Sequence, residues 1–211
     1  MCRIIRPNPS DEDLHDHEVA VEAFRAALAR YARADDGSPA SAAIVEELLG
    51  TAPTATGVTV LMLACRLTSP EAVADMGMPQ HEAKAERLMT AIVDGLEARG
   101  DLKAALRAQS KRQCTAMMMA AEEGHLSALK LLVERGGKGV IDEPRDEANR
   151  TPLGYAVSGG YIDAVRWLLE QGADPTVVRI KIKADEAGQM KNMDGRTLLM
   201  QASHMGHTAV R

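Results

Sequence analysis

Residues 151–174 read TPLGYAVSGGYIDAVRWLLEQGAD, and the fold follows from how this stretch must behave. Thr151 suits a helix N-cap, because its hydroxyl can accept from the free N–H groups of the first turn. Pro152 falls at the first helical position, where a missing N–H costs nothing. Leu153, Ala156 and Val157 sit at i, i+3 and i+4 and form one apolar stripe. Gly159 and Gly160 stop this short helix. A second helix starts near Ile162 and turns Ile162, Val165, Leu168 and Leu169 inward, with Asp163, Arg166 and Glu170 outward. Gly172 ends it. The unit is helix, tight turn, helix, then an extended connection. It is too small to bury its own apolar faces, so neighbouring units must stack.

The phrase recurs. Residues 115–137, TAMMMAAEEGHLSALKLLVERGG, align with it without a gap. Gly160 falls on Gly124, Leu168 and Leu169 on Leu132 and Val133, and Gly172 on Gly136. A third copy opens at Thr197 (TLLMQASHMGH) and a fourth at Thr59 (TVLMLAC). Self-similarity at this period marks stacked helix pairs. The expected architecture is an all-α solenoid of helix-turn-helix units joined by hairpin loops, organised as a surface.

The quoted residues resemble the ankyrin repeat. TPL, an alanine, Gly, LL and GAD form that family's signature, and residues 151–174 carry nearly all of it. Residues 115–137 keep Ala120, Ala121, Gly124, His125, Leu131, Leu132 and Gly136. Asp194, Gly195, Arg196 and Thr197 look like the start of a further repeat, and Gly206 and His207 like its turn. Gly57, Val58, Thr59, Leu63, Ala64 and Cys65 form a weaker opening. The family usually places histidine three residues after the threonine. Met62, Met118, Gly154 and Met200 stand there instead, which implies loss of a stabilising threonine–histidine hydrogen bond. Spacing is irregular too. Thr115 and Thr151 lie 36 residues apart, Thr151 and Thr197 46, and Thr59 and Thr115 56, against about 33 for the family. The excess falls at 175–193 and at 68–84, and insertions in such arrays emerge as loops.

Organisation follows as a flexible acidic leader at 1–16, a helical N-terminal cap or degenerate repeat at 17–56, and about four repeats over 57–211, the last incomplete. In 17–34, Val19, Phe24, Ala27, Leu28 and Tyr31 share a stripe. After the turn at 35–39, Ser41 is placed to cap a helix carrying Ile44, Val45, Leu48 and Leu49. Arg211 falls inside the second helix of the last repeat, which favours a segment of a longer protein, since terminal repeats need a polar outer face.

Composition narrows the classes. Aromatics are 2% of 211 residues, so Ala, Leu, Val and Met must fill the core, as suits close helix packing. A net charge of −5 does not predict a nucleic-acid footprint. No apolar run reaches the roughly 18 residues of a membrane span, and the N-terminus lacks a signal-peptide core. The three cysteines, Cys2, Cys65 and Cys114, read as reduced thiols of a cytoplasmic protein, or a nuclear one.

Candidate chemistry is sparse. Residues 11–18, DEDLHDHE, contain carboxylates and imidazoles capable of holding a metal, including His15 and His17. They also suit an acidic helix start, and no second ligand cluster accompanies them. Residues 136–139 lack the spacing of a phosphate loop and suit a glycine-ended helix. Met117, Met118 and Met119 form either an adaptable patch or core on two sides. Lys111 and Arg112 beside Cys114 would lower a thiol pKa, but no nucleophile motif is present. His125 and His207 read as structural. The expectation is a monomeric, non-enzymatic binding module without cofactor or metal. By the family resemblance, its partner protein meets Arg112, Met119, Glu122, Glu123, Arg150, Tyr155, Ser158, Arg196, Gln201 and His204, with Tyr155 an exposed anchor. The alternatives are a regulatory or targeting segment of a larger enzyme or receptor, and a scaffold whose leader binds metal.

Overall fold

The computed structural model describes residues 11–34, 38–78, 81–136, 139, 141–142 and 145–176, with two short strands at 182–184 and 190–192. Ten helices are described: α1 (Asp11–Arg33), α2 (Pro39–Leu49), α3 (Val60–Leu67), α4 (Pro70–Asp75), α5 (Glu82–Arg99), α6 (Leu102–Arg107), α7 (Ala116–Glu122), α8 (Leu126–Gly136), α9 (Pro152–Gly159) and α10 (Ile162–Glu170). Strands β1 (Ile182–Ala184) and β2 (Met190–Asn192) pair antiparallel, with Lys183 opposite Lys191. They lie within the insertion expected at 175–193. The copy beginning at Thr197 lies outside the described residues.

The repeat threonines do what their chemistry allows. Thr59, Thr115 and Thr151 all take extended backbone, and their hydroxyls accept from Met62, Met118 and Gly154 N–H at 3.4, 3.3 and 3.4 Å. Each cap contributes about 1 kcal/mol. The three helices they start, α3, α7 and α9, stack as an inner layer, with α5, α8 and α10 outside. Ala64, Ala120 and Ala156 have no exposed surface, and neither do Met62 and Met118. Alanine at the shared register lets helices approach, and methionine fills what remains. Met117 and Met118 are core and Met119 is half-exposed. Helices α1 and α2 pack on α3 and α5, extending both layers toward the N-terminus.

The inter-helix turns explain where the copies diverge. Gly160 (φ 77°) and Gly124 (φ 64°) are left-handed, and Tyr161 and His125 N–H groups donate back to Ala156 and Ala120 carbonyls. This closes the turn in the way a C-terminal glycine does. Thr68 occupies the same register in the first copy and stays right-handed (φ −101°). Without the tight reversal the chain continues through Ser69, which caps α4 ahead of Pro70. The insertion expected at 68–84 is thus partly helical, pinned by buried Val73. At its end, Lys84 Nζ donates to the Ala32 and Ala34 carbonyls at 2.8 Å each, satisfying the end of α1.

Three local expectations change. Helix α1 begins at Asp11, earlier than 17, because an acidic run suits a helix N-terminus. The α2 cap is Ser38, whose side chain accepts from the Ser41 N–H. Helix α6, between α5 and the next repeat, was not foreseen.

Candidate partner-binding face

Before each inner helix the chain makes a projecting turn, and all three are built alike. In the first, Thr54 Oγ1 accepts from the Val58 N–H at 3.0 Å. In the second, Ser110 Oγ accepts from Cys114 N–H at 3.3 Å. In the third, Asp146 Oδ1 accepts from Arg150 N–H at 2.7 Å and Ala148 N–H at 2.9 Å. The residue two before each threonine is left-handed: Gly57 at φ 74°, Gln113 and Asn149 at 56°. Neighbouring turns are tied, since Lys111 N–H donates to the Thr56 carbonyl at 2.7 Å and Gln109 Nε2 to the Arg145 carbonyl at 3.1 Å. These fingers and the inner helices form two adjoining walls.

On the helix wall one register recurs. Arg66, Glu122 and Ser158 stand seven residues after their threonines, the first two exposed and Ser158 half-buried. Arg66 Nε lies 3.3 Å from Glu123 Oε1. Burial pushes the Glu123 carboxyl up, Arg66 pulls it down, and Glu122 and Glu71 push it further up. Arg112 is exposed at the second finger tip. Helix α1 closes the N-terminal end: Asp16 accepts from the Ala55 N–H of the first finger, and His17 lies in the field of Arg66 and Arg112. Burial first, then Arg66, holds His17 below its ordinary range.

Of the expected contact residues, Arg112, Met119, Glu122, Glu123 and Ser158 reach the surface to differing degrees. Arg196, Gln201 and His204 lie outside the described residues. Arg150 and Tyr155 are corrected: they are 8% and 4% exposed. Arg150 Nε donates to Asp146 Oδ2 at 2.6 Å, and Tyr155 Oη donates to the same oxygen at 2.9 Å. The guanidinium also lies 4.2 Å from the Tyr155 ring centroid. Tyr155 therefore anchors the third finger to its helix. Its hydroxyl pKa is raised by burial above all. The Cys114 thiol lies 3.3 Å from Tyr155 Oη. Burial pushes its pKa up, overriding the lowering expected from Lys111 and Arg112. His125 is 1% exposed, and its Nδ1 lies 3.1 Å from the Cys65 carbonyl of the preceding repeat, a structural bridge. Among the described residues no group of three or more His, Cys, Asp or Glu is placed to hold a metal ion. The side chain of His17 is among those described and that of His15 is not.

The sequence did not single out Arg66 or Asp146, and it offered His17 only as a possible metal ligand. Asp146 had a visible signal, since it shares a position with Thr54 and Ser110, all short side chains with an acceptor oxygen. Arg66 lay in the weak copy, and its register with Glu122 was readable.

Comparison with known proteins gives a consistent result. The family model for ankyrin repeats matches three copies over residues 86–179. The palmitoyltransferases ZDHHC13 of Pongo abelii and of Homo sapiens are each 32% identical over 73 residues, which is 35% of this chain and 11% of theirs. The chain thus spans only a small part of those relatives. Among solved structures, the ankyrin repeat domain of Bcl-3, described as a unique member of the IkappaB protein family, superposes with a TM-score of 0.54 at 23% identity. The match covers 81% of this chain and 64% of that one, a likeness of fold. No helix among the described residues is long and apolar enough to cross a membrane.

Proposed function

The chain is an ankyrin-repeat protein, and on that premise we propose that its concave face, made by the inner helices and fingers, recognises a partner protein. The observation that carries this is the register Arg66, Glu122, Ser158, which brings a different polar side chain to the same wall on three successive helices. An array that varies one surface position while its caps and alanines repeat is built to present a pattern. The contacts are Arg112, Met119, Glu122, Glu123 and Ser158, with Arg66 added. Arg196, Gln201 and His204 extend the set beyond the described residues. Residues 17–56 serve as the N-terminal cap, and the protein acts as a monomer without cofactor in a cytosolic or nuclear compartment, consistent with free thiols at Cys65 and Cys114. The test is partner capture with Glu122→Arg plus Ser158→Arg, against Lys130→Glu, an exposed control on α8. Capture lost only in the first variant, with helicity unchanged, supports the assignment. Equal loss in both, or loss in neither, removes it.

A second reading has one specific support, the match to a short stretch of a palmitoyltransferase. On it the repeats regulate or target a larger enzyme or receptor, and chemistry belongs to another part of that polypeptide. An immunoblot of the native protein discriminates. A band near 22.6 kDa supports the free-standing adaptor, and a much larger one the segment.

A further inference from the structure

We propose that the outward face of α6, continued by the tip of the second finger, is a second docking surface whose occupant is an acidic segment of a partner protein. The proposal rests on the partner-binding reading; its surface shares Arg112 with the concave face and otherwise lies on α6.

Residues 102–113 read LKAALRAQSKRQ, with four cationic side chains and no carboxylate, in a chain of net charge −5. Helix α6 is pinned by Leu102 and Leu106, both buried. Lys103 and Arg107, also four apart and thus stacked on one helix face, are both exposed. Ala108 leaves the helix in an extended conformation (φ −57°, ψ 136°) and leads to the finger, where Lys111 and Arg112 are exposed. Lys111 and Arg112 lie in the finger turn, so the four helical and five non-helical steps from Lys103 to Arg112 span at most about 23 Å. An extended peptide of about seven residues covers that length.

Lys103, Arg107 and Arg112 form no ion pair with another described residue, so their charge is available to a partner. Glu147 holds the register of Lys111 on the third finger, so the two fingers differ in charge at that position. The setting selects the class of occupant. A nucleic acid duplex wants a broad basic footprint, whereas these four cations occupy one short helix and one finger tip. A lipid surface wants large apolar side chains beside the cations, whereas the other exposed positions are Ala104, Gln109 and Gln113. A short run of carboxylates matches both the charge and the length.

The experiment uses the full 211-residue chain and a fluorescein-labelled octapeptide of alternating glutamate and glycine, read by anisotropy. Saturable binding is expected. It should weaken by about tenfold in Lys103→Glu plus Arg107→Glu, since two attractive contacts become repulsive. It should weaken comparably when salt rises from about 0.02 M to about 0.3 M, which shortens the screening length to within roughly a charge-pair distance. Circular dichroism checks that the variant keeps its helices. Arg66→Ala, on the concave wall, should leave peptide affinity unchanged. The absence of saturation overturns the proposal, as does an undiminished double variant. Equal loss in Arg66→Ala moves the peptide to the concave wall and also overturns it. Binding of a DNA duplex or of phosphatidylserine vesicles that matches or exceeds that of the peptide overturns the choice of occupant. The Glu122 and Ser158 variants leave α6 intact, so the concave reading and this one fail separately.

Discussion

Replacing Asp146 with alanine strikes the group on which the third finger is assembled. Asp146 is 6% exposed and accepts from the Ala148 and Arg150 N–H groups, from the Arg150 guanidinium and from the Tyr155 hydroxyl. The alanine variant strands a guanidinium that is 8% exposed, and breaking a buried pair from one side costs about 3–5 kcal/mol. At about 2–4 °C per kcal/mol for a chain of this size, the melting temperature should fall by roughly 6–20 °C. Thermal and urea unfolding followed by circular dichroism measure both quantities. Two companions sharpen the case. Tyr155→Phe removes only the hydroxyl bonds and should cost about 1–2 kcal/mol. Asp146→Leu with Arg150→Met removes both charges and should be more stable than Asp146→Ala, because no ion is left unpaired. A loss below about 1 kcal/mol in Asp146→Ala would mean that the network behaves as an exposed pair, and the account of a buried anchor would be refuted.

Other perturbations follow from the same geometry. Gly160→Val should cost about 1–3 kcal/mol, because a β-branched residue is placed at φ 77° where its side chain is strained, and an unchanged melting temperature would show that the repeat register is misassigned. Gln113→Gly relieves left-handed backbone at φ 56° and should be neutral or stabilising by up to about 1 kcal/mol, whereas a clear loss in urea unfolding would contradict the strain argument. Gly159→Ala would put a Cβ 2.3 Å from the Tyr161 ring; it should destabilise, and Tyr161→Ala should cancel most of the penalty in a double-mutant cycle. His125 is held below its ordinary 6.5, by burial foremost, so the unfolded chain takes up its proton first as pH falls. Its contribution to stability is complete above the ordinary imidazole range and declines as pH falls below about 6.5, so His125→Gln should flatten the stability–pH curve below about pH 6.5, and an unaltered slope would mean that His125 is not buried neutral.

What was legible in the sequence was what repeats. The cap threonines, the alanines at a shared register and the turn glycines follow from local rules, and Thr59, Thr115 and Thr151 stand where those rules put them. Features found once were harder. Helix α6 is six residues long, and its signal is a single pair, Leu102 and Leu106. Tyr155 misled because a tyrosine on an inner helix reads as an exposed anchor. Only Asp146 and Arg150, nine and five residues earlier, turn it inward, and that pairing depends on a finger folding back. Cys114 misled for a related reason, since its neighbours in sequence are cations while its neighbour in space is the Tyr155 hydroxyl. Thr68 was readable: a threonine in a glycine position forbids the tight turn, and the insertion follows from it.

Site-specific photo-crosslinking in the source cells puts the concave face itself at stake. A benzophenone side chain placed at Glu122, on the inner wall, is compared with one at Lys130 on α8. The account predicts one discrete crosslinked product from position 122 and none from position 130. A product from position 130 alone, or the same product from both, would contradict recognition by the concave face.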